Sequence, residues 1–530
     1  MHPQTEAYVY PELGIRKTYE EFDAETDRLA KAFIGIGIEK GEHIAIWSDN
    51  KREWLLSQFA TGKMGGVLVT VNTSYQASEL EYLLKQSDAT TLILGEEFKG
   101  SNYIDILNTV CPELKDSEKG KVESPKLPYF KRVIVMSENG YPGIYTWSEF
   151  EAFAEGVSDE QFHERFQSMD PDDVINVQYT SGTTGFPKGV MLTHLNVVNN
   201  GKLVGDTMNL TENDRLCIPV PFFHCFGCVL GTMAAVTHST TMVIAEQFDP
   251  KRVLQMVQDE KCTALHGVPT MFIAELNHPE FESFDTSTLR TGIMAGSTCP
   301  IEVMKKVIDD MGASEITIAY GQTESSPVIT QTKSDDAIEK RVSTVGRPHP
   351  EVEVKIIDPA TNETVPVGVP GELCTRGYHI MKGYYQNEEA TKQAIDEEGW
   401  LHTGDIAVED EDGYIAVTGR IKDMVIRGGE NIYPREIEEF LYKHEAIQDV
   451  QVVGVPDPKY GEELMAWIIL KEGKQLDAET LRGYCKGKIS HHKIPRYIEF
   501  IEEYPMTASG KIQKFKLREM SDQLANKTEV

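Results

Sequence analysis

The stretch V-I-N-V-Q-Y-T-S-G-T-T-G-F-P-K-G, Val174 to Gly189, says more about this chain than any other. Val174 to Gln178 reads as an apolar strand, followed at once by a dense run of Gly, Ser and Thr that closes on Lys188. Glycines let a backbone turn several N–H groups onto one anion, hydroxyls add donors, and a lysine adds charge. After a buried strand, this is the physics of a polyphosphate cradle. A Walker A loop needs G-x-x-x-x-G-K-[ST], whereas Lys188 is preceded by Pro187 and followed by Gly189, so an ordinary P-loop kinase or ATPase is disfavoured.

Around that loop, from Thr18 to about Gln322, apolar runs alternate with amphipathic stretches. His43–Trp47, Gly66–Val71, Thr91–Gly95 and Arg132–Met136 read as buried strands, and Asp23–Gly35 and Arg52–Lys63 as helices. That alternation predicts an α/β fold with parallel sheets. From Gly346 to Arg420 short strands crowd between Gly, Pro and Asp-Gly turns, with Asp412-Gly413 a hairpin signal. A small antiparallel β subdomain is expected there. After Arg420, Pro434 suits the first position of a helix. Strands at Asp449–Val455, Met465–Leu470 and Tyr497–Ile501, with a helix at Ala478–Lys488, complete a compact α+β unit. The expected division is a large N-terminal domain, residues 1–421, containing the β-rich subdomain 346–420, and a small mobile C-terminal domain, residues 422–530.

A chain of 530 residues is too long for one ordinary core. With 40% hydrophobic and 26% charged residues it has a globular composition. A net charge of −32 repels phosphate backbones, so nucleic acid is an unlikely partner and any phosphate ligand must be held locally. Eight cysteines make no disulfide framework, and the single C-x-x-C, Cys225 and Cys228, has no second ligand pair, which favours packing over metal. No run approaches the roughly 18 to 20 apolar residues of a membrane helix. The N-terminus has neither a signal peptide's apolar core nor the pattern of a transit peptide, so a cytoplasmic location is the expectation.

Three further motifs carry chemistry. A-Y-G-Q-T-E (Ala319–Glu324), after the expected strand E-I-T-I (Glu315–Ile318), sets a hydroxyl beside a carboxylate at a strand end, which suits a phosphate and its magnesium, or a plain polar turn. W-L-H-T-G-D (Trp400–Asp405) and T-G-R-I-K-D (Thr418–Asp423) offer a carboxylate for ribose hydroxyls and a supporting arginine, or a turn residue and half of a surface ion pair. P-M-T-A-S-G-K-I-Q-K (Pro505–Lys514) puts Lys511 after Gly510 in a loop, where a lysine is usually just solvated.

Taken together, in this order and spacing, the motifs resemble the superfamily of acyl-CoA synthetases, luciferases and peptide-synthetase adenylation domains, from about Thr18 to Arg518. P-F-F-H-C-F-G (Pro221–Gly227), G-V-P-T-M-F (Gly267–Phe272), R-G-G-E-N-I-Y-P-R-E-I-E (Arg427–Glu438) and H-K-I-P-R (His492–Arg496) are most similar to bacterial medium-chain fatty-acyl-CoA synthetases. The resemblance implies two half-reactions. A carboxylic acid attacks the α-phosphorus of ATP and pyrophosphate leaves; then the thiol of coenzyme A attacks the acyl-adenylate and AMP leaves.

It also implies roles. Thr180, Ser181, Gly182, Thr183, Thr184 and Lys188 would hold the β- and γ-phosphates. Thr323 would bind the α-phosphate and Glu324 the Mg2+ ion. Adenine would lie between Gly296-Ser297-Thr298 and Tyr320-Gly321, and Asp405, helped by Arg420, would hold the ribose. Lys511 would act in adenylation, with His224 at the acyl carboxylate, although an aromatic-flanked histidine could equally be a core residue. Gly428, Gly429 and Glu430 would line the pantetheine arm, and Lys422 would be the pivot of a domain rotation. Phe222, Phe223, Phe226 and Met271 could line an acyl pocket or belong to the core. Lys486, Lys488, His491, His492, Lys493 and Arg496 could meet the 3′-phosphate of CoA or form a solvated helix end. Expected partners are therefore a fatty or other hydrophobic acid and CoA, with a homodimer compatible. The alternatives are delivery of the acyl group to a carrier protein or amine, and a non-catalytic binding protein. The stretch before Ala7–Tyr10 is shorter than in most such enzymes.

Overall fold

Thr18 opens the first long helix, Tyr19–Gly35, for a local reason. Its hydroxyl accepts the Glu21 N–H at 3.3 Å while the Glu21 carboxylate accepts the Thr18 N–H at 2.9 Å. This reciprocal box satisfies two N–H groups that a helix start leaves free. The helix buries Phe22, Leu29, Ala30 and Phe33 and packs on a second helix, Arg52–Met64. The computed structural model describes residues 2–180, 187–428 and 430–528.

Among the described residues, two large sheets carry the N-terminal domain. The seven-stranded sheet runs Gly383–Tyr384, Lys188–Thr193, Val174–Thr180, Val67–Thr70, His43–Trp47, Thr91–Leu94, Arg132–Val135. Its last five strands are parallel, and the two at the Lys188 edge are antiparallel. The nine-stranded sheet is parallel from Thr317–Gly321 through Thr291–Met294, Ala264–Gly267, Arg215–Ile218 and Thr241–Ile244 to Glu6–Tyr10, with antiparallel strands outside both ends. The predicted parallel sheets are there; their antiparallel edges are a structural addition. So is the strand Glu6–Tyr10, whose Ala7, Tyr8 and Val9 are fully buried beside Thr241–Ile244.

The strands Val352–Ile357, Gly371–Gly377, Leu401–Glu409 and Ile415–Arg420 form the antiparallel β unit. Its Asp412-Gly413 hairpin is present, with Asp410 bonding the N–H groups of Asp412 and Tyr414 at 2.9 Å across the turn. Beyond Ile421–Asp423 the chain builds a separate sheet from Val425–Arg427, Glu430–Ile432, Ile447–Asp457, Gly461–Leu470 and Tyr497–Phe500. Pro434 is the first residue of the helix Pro434–Leu441. The predicted helix Ala478–Lys488 ends instead at Cys485, because Lys486 leaves helical geometry and Gly487 turns left-handed at φ 75°. This sheet has its own core around Val450, Val452, Leu464, Ala466 and Ile468. No helix among the described residues is long and apolar enough to cross a membrane.

Candidate active site

The strands Thr291–Met294 and Thr317–Gly321 lie side by side and parallel. Their carboxyl ends, where open α/β sheets bind ligands, bring exposed Gly296, Ser297 and Thr298 next to Tyr320 and Gly321. At Gly321 any side chain would lie 1.7 Å from the Pro327 carbonyl oxygen, so only glycine lets the turn fold back. That turn, Thr323–Ser325, carries buried Thr323 and half-buried Glu324, whose Oε1 accepts from the Tyr384 hydroxyl at 2.8 Å.

Asp405 and Arg420 are register partners on neighbouring antiparallel strands. Arg420 Nε lies 3.1 Å from Asp405 Oδ1, and the Tyr320 hydroxyl donates to Oδ2 at 2.7 Å. Burial lifts the Asp405 carboxyl above the usual carboxylate range against the pull of Arg420 and Tyr320. Three residues outside the sequence motifs' assigned roles brace this carboxylate. Glu372 accepts the Gly404 N–H at 3.0 Å with one oxygen and faces His402 Nδ1 at 3.1 Å with the other. The Asp405 N–H donates to Thr403 Oγ1 at 3.1 Å.

Lys511 arrives from the C-terminal domain. Gly510 receives a hydrogen bond from Thr270 Oγ1 at 2.8 Å, and Lys511 Nζ lies 3.3 Å from His224 Nε2. The two share a small cavity with Val220, Pro221, Phe226, Val268 and Ser509. Gly296, at φ 92°, completes the approach, since a β-carbon there would meet Lys511 Cε at 3.2 Å. His224 is therefore a neighbour of the lysine and not only a core residue. Burial brings Lys511 down to about 8, and the Arg420 charge acts in the same direction. Burial, then the Lys511 charge, hold His224 well below its ordinary value, so it is neutral. Because His224 Nδ1 accepts the Phe226 N–H at 3.2 Å, the ring proton belongs on Nε2, facing Lys511. An uncharged amine can accept that proton; an ammonium cannot.

Other expected site residues fall elsewhere. Thr180 ends its strand opposite Lys188. Ser181, Gly182, Thr183, Thr184 and Gly429 lie outside the described residues. Gly428 and Glu430 flank the hairpin at the edge of the C-terminal sheet, Gly428 N–H donating to the Tyr460 carbonyl at 2.8 Å. Lys422 sits in the one-turn helix Ile421–Asp423 that joins the β unit to the C-terminal sheet. Phe222 is buried against Trp54, whereas Phe226 and Met271 line cavities. In the basic cluster Lys493 pairs with Glu436 at 2.6 Å and Arg496 with Asp457 at 3.0 Å, which ties two of its six residues into structure. Cys225 and Cys228 are free buried thiols bonded to either end of the Gln178 amide, a packing role.

Residues 1–385 match the AMP-binding enzyme family, and residues 436–511 match the AMP-binding enzyme C-terminal domain. The chain belongs to the adenylate-forming acyl-CoA synthetase superfamily. It is 59% identical to the putative acyl-CoA synthetase YngI of Bacillus subtilis over 99% of this chain and 96% of that one. It is 43% identical to the mitochondrial medium-chain acyl-CoA ligase ACSF2 of Danio rerio, over 98% and 86%. Among solved structures, ATP-bound MatB from Rhodopseudomonas palustris superposes with a TM-score of 0.84 at 27% identity, covering 98% and 97% of the chains. This acyl-CoA synthetase is thus an AMP-forming acid–CoA ligase of α/β fold, with a large N-terminal and a small C-terminal domain.

The lowered lysine is expected to give the synthetase a pH dependence. Between about 8 and the ordinary 10.5, docked Lys511 has shed a proton that an undocked lysine keeps. The docked arrangement without nucleotide therefore gains stability as pH rises through that window and forfeits it below about 8. If the ammonium is the form that serves adenylation, kcat/KM for ATP, which reports the free enzyme, falls above about pH 8. Lys511→Arg, charged throughout, is expected to lose that alkaline limb whatever its residual rate. A limb that survives in Lys511→Arg assigns the titration to another group.

Proposed function

We propose that the synthetase activates a medium-chain carboxylic acid at the α-phosphate of ATP through Lys511, and passes the acyl group to CoA after its C-terminal domain, residues 422–530, swings about Lys422. The observation that carries this is the delivery of Lys511 to His224, with Gly296 and the Asp405–Arg420–Tyr320 group nearby. The Asp405 carboxylate is anchored from both sides and can accept ribose hydroxyls in place of the Tyr320 hydroxyl. Lys511 and neutral His224 flank the cavity where the acid's carboxylate would meet the α-phosphate, and burial there strengthens their electrostatic effect. Phe226, Val220 and Val268 supply the apolar walls for the first carbons of the acid.

Glu324 fits a magnesium ion: Tyr384 occupies Oε1, leaving one oxygen, and Mg2+ prefers one or two carboxylates with water and substrate phosphates. Bound there with Thr323 alongside, the ion would neutralise charge on the triphosphate. Lys188 and Thr180 stand at the two ends of the phosphate loop. For the second half-reaction, rotation would withdraw Lys511 and bring Gly428–Glu430 to the thioester-forming side. The medium-chain assignment draws on the relative named for that activity.

AMP release with acetate, octanoate, palmitate and benzoate, each with and without CoA, tests the reading. AMP formation that requires CoA and peaks at octanoate is expected. Sustained turnover without CoA would transfer the second step to another acceptor, and a peak at acetate or palmitate would replace the substrate class.

A further inference from the structure

We propose that Tyr384 is a positioning residue that sets the metal carboxylate and the phosphate lysine as one unit. The inference rests on the roles given above to Glu324 and Lys188. Tyr384 reaches both: its hydroxyl donates to Glu324 Oε1 at 2.8 Å, and Lys188 Nζ lies 4.3 Å from its ring centroid.

The backbone explains how one side chain meets two distant motifs. Gly383–Tyr384 pairs antiparallel with Lys188–Thr193, setting Tyr384 opposite Val190 and Gly383 opposite Met191. The adjoining residues are stitched to both sides. Met381 N–H donates to the Glu324 carbonyl at 2.9 Å, Lys382 N–H to Met191 at 3.0 Å and Tyr385 N–H to Gly189 at 2.7 Å. The segment thus straps the Thr323–Ser325 turn to the strand leaving the phosphate loop. Tyr384 itself is 6% exposed, and its N–H is satisfied by Thr391 at 2.9 Å.

The chemistry of each contact differs. A carboxylate with one oxygen held by a buried hydroxyl can turn only the other toward a cation, and Mg2+ demands near-ideal octahedral geometry. The ring holds Lys188 by a cation–π attraction, which is weaker than an ion pair with a carboxylate. That is enough to park the amine and weak enough for a phosphate to take it.

Two variants separate the contacts. Tyr384→Phe keeps the ring and removes the hydroxyl; Tyr384→Leu removes both. Mn2+ binding is followed by electron paramagnetic resonance with α,β-methylene-ATP and no acid, alongside the Mg2+ dependence of turnover and the melting temperature. Tyr384→Phe is expected to weaken Mn2+ by about tenfold, the scale of one hydrogen bond to a charged group. Its rate should recover at high Mg2+, with KM for ATP almost unchanged. Tyr384→Leu should raise KM for ATP as well, by about threefold, the scale of the lost cation–π contact. Wild-type Mn2+ binding by Tyr384→Phe overturns the proposal, as does a loss of rate that no Mg2+ concentration restores. Glu324→Gln is the control: if it too binds Mn2+ like the wild type, the metal role of Glu324 is wrong, and the proposal goes with it.

Discussion

Lys511→Ala is expected to slow acyl-adenylate formation by at least about 10²–10³-fold, the cost of removing one preorganised donor from a developing charge. Thioester formation from supplied acyl-adenylate and CoA should stay within about twofold, because the proposed rotation withdraws this lysine before the second step. Lys511 is the charged side chain that the C-terminal domain sends into the cavity beside His224, anchored by the Thr270–Gly510 hydrogen bond. Pyrophosphate release measures the first step, and acyl-CoA formed from synthetic adenylate measures the second. A parallel fall in both would contradict alternation and leave a site in which one arrangement serves both reactions.

Lys422→Pro should do the reverse. Lys422 lies in a single 3-10 turn, Ile421–Asp423, a conformation whose usual φ is close to the one proline imposes. The observed arrangement, tied across the two domains by Arg435 to the Val417 carbonyl, is therefore expected to persist. A proline also biases Ile421 toward extended backbone, which should cost the first half-reaction no more than about threefold. What proline forbids is a large change of φ at the pivot, so thioester formation should drop by about 10²-fold. Equal loss of both steps, with a lowered melting temperature, would indicate misfolding and remove Lys422 from the role of pivot.

Much of this was legible one motif at a time. The strand His43–Trp47 was readable to the residue because four apolar residues, Ile44 to Trp47, fully buried by parallel neighbours leave no other pattern. Pro434 marked its helix because a missing N–H is harmless only at a helix start. Glu6–Tyr10 was not legible: its partner, Thr241–Ile244, lies more than two hundred residues away, and nothing local announces such a pairing. Tyr384 and Glu372 were missed for the same reason. A lone G-Y or G-E-L carries no signal until sheet pairing sets it against Lys188, Glu324 and Gly404.

The sequence by itself determined the chemistry available: a Gly-, Ser- and Thr-rich loop unlike Walker A, a carboxylate beside a hydroxyl, an Asp with its Arg, and a late lysine. Those follow from residue type and local spacing, which a one-dimensional string preserves. Tertiary structure alone decided which of these groups meet. It brought Lys511 against His224 across 287 residues, set Asp405 between Tyr320 and Arg420, and buried the lysine deeply enough to bring its amine down to about 8. Proximity and burial are properties of the packed chain, because dielectric and distance depend on every neighbour that folding supplies.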